Sequence, residues 1–313
     1  MWKIIGLARA IISQNISEAA AYLQQGEVIG IPTETVYGLA GNALNEKAIV
    51  KIFEVKNRPA FDPLIVHTCE IREVTKYVET VPDWAIQLFE KFSPGPLTLL
   101  LPKKSIIPDL VTSGLENVGI RIPNHPLTLE LLRNIPFPLA APSANPFGYI
   151  SPVSAFHVQD QLGDKIPLIL DGGFSSVGIE STIVGYESGK PVIYRLGGIP
   201  LEAIEEITGK IEVRRSSSAP AAPGMLISHY APGKPFFIAD SKEAEKLGKG
   251  KKWRFIQFKG EKQFEQSVVL SAAGSFTEAA ANLFKVMRQL DQTELDIIFA
   301  ELLPEAGLGR AIN

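Results

Sequence analysis

Across 313 residues the chain has a single cysteine, Cys69, which rules out an internal disulfide, and its four histidines stand singly, so no structural zinc spacing exists. Basic residues do not outnumber acidic ones: 31 Lys and Arg face 34 Asp and Glu, a formal net charge of −3. Any nucleic-acid contact would therefore have to come from a local patch. No apolar run reaches membrane-spanning length. The stretch Ile4 to Ile12 comes nearest, but Arg9 interrupts it and it carries no small-residue cleavage pattern. A Walker loop, a nucleophile elbow, a serine triad and paired glycosidase carboxylates are all missing. What remains is a chain of ordinary globular composition, 45% hydrophobic and 21% charged. It is long enough for one large domain and one small one, and it suits a reducing cytoplasm without a membrane anchor.

Helical and strand patterns alternate along the chain, which predicts an α/β fold. Ser17 to Gln25 reads as a short helix capped by Ser17 and stopped by Gly26, with a buried strand at Val28 to Ile31 after it. Asn45 caps the next helix, in which Ile49, Ile52 and Phe53 share a face and from whose end Lys56 and Arg58 emerge. Further strands are readable at Leu64 to His67, Leu97 to Leu101, Gly119 to Ile122, Leu168 to Leu170, Ser181 to Val184 and Val192 to Leu196. Around Lys210 the composition changes, and 211–234 is rich in Ser, Pro, Ala and Gly with no hydrophobic period. Beyond it lie strands at Phe236 to Ala239, Trp253 to Phe258, Val268 to Leu270 and Ile297 to Ala300, with helices at Ser241 to Leu247 and Thr277 to Gln289. The expected organisation is an open α/β sheet domain over 1–209, a linker over 210–234 and a small Rossmann-like α/β domain over 235–313.

Polar residues collect at strand mouths, where open α/β sheets hold their ligands. Lys56-Asn57-Arg58-Pro59 and Pro142-Ser143-Ala144-Asn145-Pro146 bring two cations, a hydroxyl and an amide, which is equipment for a polyanion. Taken alone, each string also fits a solvated helix end or a turn. Arg121 alternates with Ile120 and Ile122, so it points away from the face they bury and is suited either to gripping a carboxylate bidentately or to a structural salt bridge. Asp171-Gly172-Gly173 leads to Gly178 and then to the polar cluster Glu180, Ser181, Thr182, where glycines allow close backbone approach to a ligand. Arg195 is another strand-end cation followed by glycines. Pro32 to Gly38 carries two hydroxyls and a carboxylate, and His67 closes its own strand.

The order of these strings closely resembles the YrdC-like threonylcarbamoyl-AMP synthases. It runs through Pro32-Thr33-Glu34-Thr35-Val36-Tyr37-Gly38-Leu39, Lys56-Asn57-Arg58-Pro59, Pro63-Leu64-Ile65-Val66-His67, Pro94-Gly95-Pro96-Leu97-Thr98, Arg121-Ile122-Pro123, Ala141 to Asn145, Asp171-Gly172-Gly173, Glu180 to Val184 and Arg195-Leu196-Gly197. Pro223-Gly224-Met225, His229-Tyr230-Ala231-Pro232 and the Ala300 to Gly309 tail resemble the longer, two-domain branch of the family.

The resemblance implies a twisted α/β sheet with a positively charged cavity, and a reaction in which L-threonine, bicarbonate and ATP give threonylcarbamoyl-AMP and pyrophosphate. The product would feed tRNA threonylcarbamoylation through downstream transfer proteins. By the same resemblance ATP falls to Lys56, Arg58, Ser143, Asn145 and Arg195, with Asp62 and Ser151 as further nucleotide-side candidates, and threonine to Thr35, His67, Arg121, Ala141 and Ser181. Lys56 and Arg58 would serve catalysis by screening charge, with no protein nucleophile. Magnesium would ride mainly on the phosphates, with Asp62 or Glu180 as candidate ligands. Two positions depart from the family pattern, Asp62 where Asn is usual and Ser93 where Trp is usual. In the longer branch the linker folds back over the cavity, so His229, Tyr230 and Ala231 are expected to lie across the nucleotide as a lid. Two other readings share this domain: a carbamoyl-AMP-forming relative and an RNA-binding or ribosome-assembly module. The lysines between Lys242 and Lys252 are a candidate tRNA contact, although such a run more often forms a solvated face.

Overall fold

The computed structural model describes residues 9–59, 62–187, 189–214 and 230–313. Its larger unit is an eleven-stranded mixed sheet. Read across, the strands are Ile11–Ser13, Leu168–Leu170, Ile29–Ile31, Gly38–Asn42, Leu139–Ala140, Ile65–His67, Asn117–Arg121, Leu97–Pro102, Thr182–Glu187, Lys190–Arg195 and Glu212–Val213. The register aligns the residues that matter. His67 stands opposite Arg121 in the parallel pair Ile65–His67 and Asn117–Arg121. Thr98 stands opposite Arg121 on the other side and opposite Ile183 on the next strand. One row of side chains thus crosses four strands at a single level.

The smaller unit is a four-stranded parallel sheet in the order Phe236–Ile238, Ile297–Ala300, Trp253–Lys259, Ser267–Ser271. Asp240 caps the helix Ser241–Gly248 and Ser275 caps Phe276–Asp291. The two units share a core: Val36, Ile150 and Val153 from the first pack with Phe284, Met287 and Leu290 from the second. Gly178, at φ +77°, is where the backbones meet. A Cβ there would lie 2.5 Å from the Ala280 carbonyl oxygen, and the positive φ independently favours glycine.

Several local expectations need correction. The first helix, Ile16–Gln24, is capped by Asn15, whose side chain accepts from the Glu18 N–H at 3.1 Å, and not by Ser17. Either residue type makes a good cap, so type alone does not choose between neighbours. Gly38–Asn42 and Leu139–Ala140 are strands the sequence pattern does not announce, the first because two of its five residues are glycine and the second because it has only two residues. The segment read as linker opens with a strand: Glu212–Val213 pairs in parallel with Val192 and Ile193. Among the described residues no helix is long and apolar enough to cross a membrane.

Candidate active site

The helix Glu46–Lys56 ends at Asn57 in the left-handed conformation, φ 51°. Asn tolerates that conformation better than most residues. The turn sends the following residue back toward the sheet. Lys56 and Arg58 are therefore buried, at 1% and 7% exposure, rather than emerging into solvent. Lys56 Nζ donates to the carbonyls of Ser143 and Asn145 at 2.5 and 2.6 Å, stitching the helix to the proline-fenced loop. Arg58 donates to the Asp62 and Pro63 carbonyls and forms a 2.8 Å ion pair with the Asp62 carboxylate. Its guanidinium lies 5.9 Å from the Phe147 ring centroid.

Burial and the neighbouring Arg58 charge hold Lys56 well below the usual lysine range. Asp62 is pushed up by desolvation, against the opposing pull of Arg58. Asn145 donates to the Pro146 and Tyr149 carbonyls, and its own Oδ1 is buried with no hydrogen-bond donor among the described residues. Ser151 is fully buried and its hydroxyl donates to Glu180 at 2.8 Å. Arg195 donates to the backbone and hydroxyl oxygens of Ser181, both at 3.0 Å, with Glu180 4.0 Å away.

The other end of the chamber is built on Arg121, at 3% exposure. Its alternation with isoleucines does turn it from their face, but into protein rather than toward water. Arg121 Nη2 donates to Glu34 and to the Thr35 hydroxyl, both at 2.8 Å, while Nε has no acceptor among the described residues. Glu34 is held in turn by the Asn124 N–H at 2.9 Å. His67 is buried and its pKa falls to about 3, first through desolvation and then through the Arg121 charge, so its imidazole is neutral at ordinary pH. Ser181 and Thr98 hydroxyls share a hydrogen bond of 2.8 Å. Ala141, with Gly38 behind it, keeps one wall small.

The structure thus gathers Arg58, His67, Arg121, Ala141, Ser143, Glu180, Arg195 and Tyr230 around one chamber, with Lys56, Asn145 and Asp62 behind the wall that Arg58 and Ser143 form. Its free volume is ≈ 30 Å³. A cleft of ≈ 520 Å³ between the two units shares Glu180, Arg195 and Tyr230 with it. Tyr230 has φ 63° and its ring sits 5.5 Å from that of Phe284. Ala231 N donates to the Gly148 carbonyl. His229 lies outside the described residues. Sequence reasoning assigned no role to Glu34 or Thr98, although the carboxylate of the Pro32 to Gly38 string was visible. It had no signal for Arg288, described below.

Comparison with known proteins agrees with this architecture. The Sua5/YciO/YrdC family model, described as Telomere recombination, matches residues 21–197, and the model described as Threonylcarbamoyl-AMP synthase, C-terminal domain, matches residues 199–313. The chain belongs to the Sua5 branch of this family. The threonylcarbamoyl-AMP synthase of Pyrococcus abyssi is 39% identical, over 99% of this chain and 95% of its own length. That of Bacillus subtilis is also 39% identical, over 95% and 90%. The crystal structure of P. abyssi Sua5 complexed with L-threonine superposes with a TM-score of 0.90 at 38% identity, covering 97% of this chain and 94% of that one.

Proposed function

We propose that this chain is an L-threonylcarbamoyl-AMP synthase, making threonylcarbamoyl-AMP and pyrophosphate from L-threonine, bicarbonate and ATP. The observation that carries the reading is a chamber with two differently charged ends. One, with Arg121 and neutral His67, suits the carboxylate and hydroxyl of a small amino acid. The other, with Lys56, Arg58 and Arg195, suits a triphosphate.

Arg121 would hold the threonine carboxylate through its spare Nε–H, with the Ser181 hydroxyl, bonded to Thr98 across the strand from Arg121 and to Arg195, as a further contact. A site that hydrogen-bonds the threonine hydroxyl rejects alanine and valine by leaving buried polar groups unpaired. The neutral threonine amine forms a C–N bond with the carbon of bicarbonate as water is lost, and the resulting carbamate presents an oxygen to the α-phosphorus. A new P–O bond forms there as the bond to the β-phosphate breaks, and pyrophosphate leaves with the electron pair. Lys56, Arg58 and Arg195 spread the charge of the departing group, and the chain's task is positioning and screening. Magnesium, when present, supplies further neutralisation of the phosphates. Among the described residues no cluster of three acidic or metal-binding side chains forms, so the ion would ride on the phosphates, with Glu180 at the chamber and Asp62, ion-paired to Arg58 behind it, as the carboxylates at hand.

The chamber is continuous with the ≈ 520 Å³ interdomain cleft through Glu180, Arg195 and Tyr230, so a nucleotide would extend from the one into the other. We place the product upstream of proteins that transfer the threonylcarbamoyl group to tRNA in the cytoplasm. The decisive experiment measures pyrophosphate release from ATP and bicarbonate across the twenty amino acids. Selectivity for threonine is expected. Release that ignores the amino acid, or that follows carbamoyl phosphate instead, would overturn the reading, as would RNA binding without ATP or threonine binding.

A further inference from the structure

A charged side chain from the small domain is buried inside the large one. Arg288, on the helix Phe276–Asp291, is 3% exposed. Its Nε donates to the Ser151 carbonyl at 3.0 Å, and Nη2 donates to the Ile150 carbonyl and to Gln161 Oε1. The guanidinium stands 5.2 Å from the Tyr149 ring centroid. One turn further along the same helix, Asp291 accepts from the Tyr149 hydroxyl and from the Lys234 N–H. Two residues of one helix thus grip three consecutive positions of the large domain.

Those positions belong to the loop that carries the nucleotide-side residues. Asn145 donates to the Tyr149 carbonyl, and its own carbonyl takes the Lys56 ammonium. Phe147 lies against Arg58 and donates its N–H to the Lys56 carbonyl. Ser151, between the Arg288-bound carbonyl and the rest of the chamber, holds Glu180. A buried guanidinium is costly to desolvate, and here its main partners are backbone carbonyls, to which it forms a fixed fork that a hydrophobic residue could not reproduce.

We propose that Arg288 is a positioning residue for the nucleotide site, supplied by the small domain, which fixes the 145–151 loop so that Lys56, Asn145 and Glu180 stand ready for ATP. The proposal rests on the assignment of that end of the chamber to the nucleotide. The threonine end is held separately, by Glu34, Thr35 and the strand pairing of Arg121 with His67. Where the same helix meets the threonine side, at Ala280 beside Gly178, it is eight residues or about 12 Å away along the axis. The small domain's contribution to the reaction is then a shaped phosphate site, made without touching the substrate.

The test is calorimetric titration of full-length Arg288→Ala and Arg288→Lys with ATP and, separately, with threonine. The Ala variant should raise the ATP Kd at least tenfold and leave the threonine Kd within twofold. Lys keeps the charge and reaches one carbonyl, so it should raise the ATP Kd about threefold with the same sparing of threonine. If Ala fails to fold, the Lys variant decides. A merely structural arginine would lower Tm and weaken both ligands together, and that result, or an unchanged ATP Kd, overturns the proposal. If the wild-type chain binds neither ligand, the functional assignment fails first and separately.

Discussion

The two ends of the chamber solve opposite electrostatic problems. At the end proposed for the amino acid one guanidinium, Arg121, faces one carboxylate, Glu34, and the nearby His67 is kept neutral. The balance is near zero, which suits a zwitterion that brings both signs with it. At the end proposed for the nucleotide three basic groups, Lys56, Arg58 and Arg195, face two carboxylates, Asp62 and Glu180. The excess is positive, and it includes a lysine whose pKa burial and the Arg58 charge hold well below the usual range. The cavity is therefore not simply a basic pit. Its arginines are held in place by carboxylates and carbonyls before any ligand arrives, and preorganised charge of this kind needs little rearrangement at the moment of reaction.

The strongest way to break the contrast is at the nucleotide end. Arg58→Ala and Lys56→Ala should each lower turnover by about 30- to 10³-fold, on the order of 2 to 4 kcal/mol for losing one charge-assisted contact in a dry site. Arg58→Ala also strands Asp62 without its partner, so it should be the more damaging to stability. Near-wild-type turnover of both variants at saturating ATP would remove the nucleotide assignment.

A smaller and more selective effect is expected at the other end. Arg121→Ala should weaken threonine far more than ATP, by roughly tenfold or more, since one charge-assisted pair is lost while the phosphate contacts stand. Glu34 becomes an unpaired buried carboxylate in that variant, so folding is checked by thermal melting alongside titration of each ligand. Equal losses for the two ligands would assign Arg121 to the scaffold or to the phosphates.

Much of this contrast was legible as a string of residues and little of it as geometry. The strands Ile65–His67 and Leu168–Leu170 announce themselves through apolar runs, and Asn45 through its position before the helix it caps. Lys56 and Arg58 were visible as cations but not as buried ones, because their burial depends on Asn57 turning the chain back and on carbonyls 87 and 89 residues away for Lys56. Arg121's partner Glu34 lies 87 residues off, and no periodicity links them. Arg288 looks in sequence like an ordinary basic residue in the last turn of an amphipathic helix, where a lysine or arginine complements the helix dipole. Only the docking of the two units reveals that it enters the larger one. Local patterns encode elements, whereas the site is made of contacts between elements.

The subtlest expected difference between the two ends is in proton traffic. Desolvation, and then Arg58, hold the Lys56 pKa in the free protein well below the usual lysine range. A triphosphate beside it supplies the missing counter-charge and raises that pKa toward the ordinary lysine value of about 10.4. Between the free and bound values the complex holds more protons than its separated parts, so ATP binding at a pH inside that window should take up a fraction of a proton. Affinity should then fall as pH rises through that window. Threonine binding should draw none onto the imidazole beside it, since His67 with its pKa near 3 stays neutral throughout. The measurement is the binding enthalpy of each ligand in buffers of different ionisation enthalpy. For ATP it should vary with the buffer and lose that variation in Lys56→Gln, and for threonine it should not vary. Buffer-independent ATP binding would mean that Lys56 is already protonated in the free protein, and the charge excess at the nucleotide end would then be present before the ligand instead of being drawn in by it.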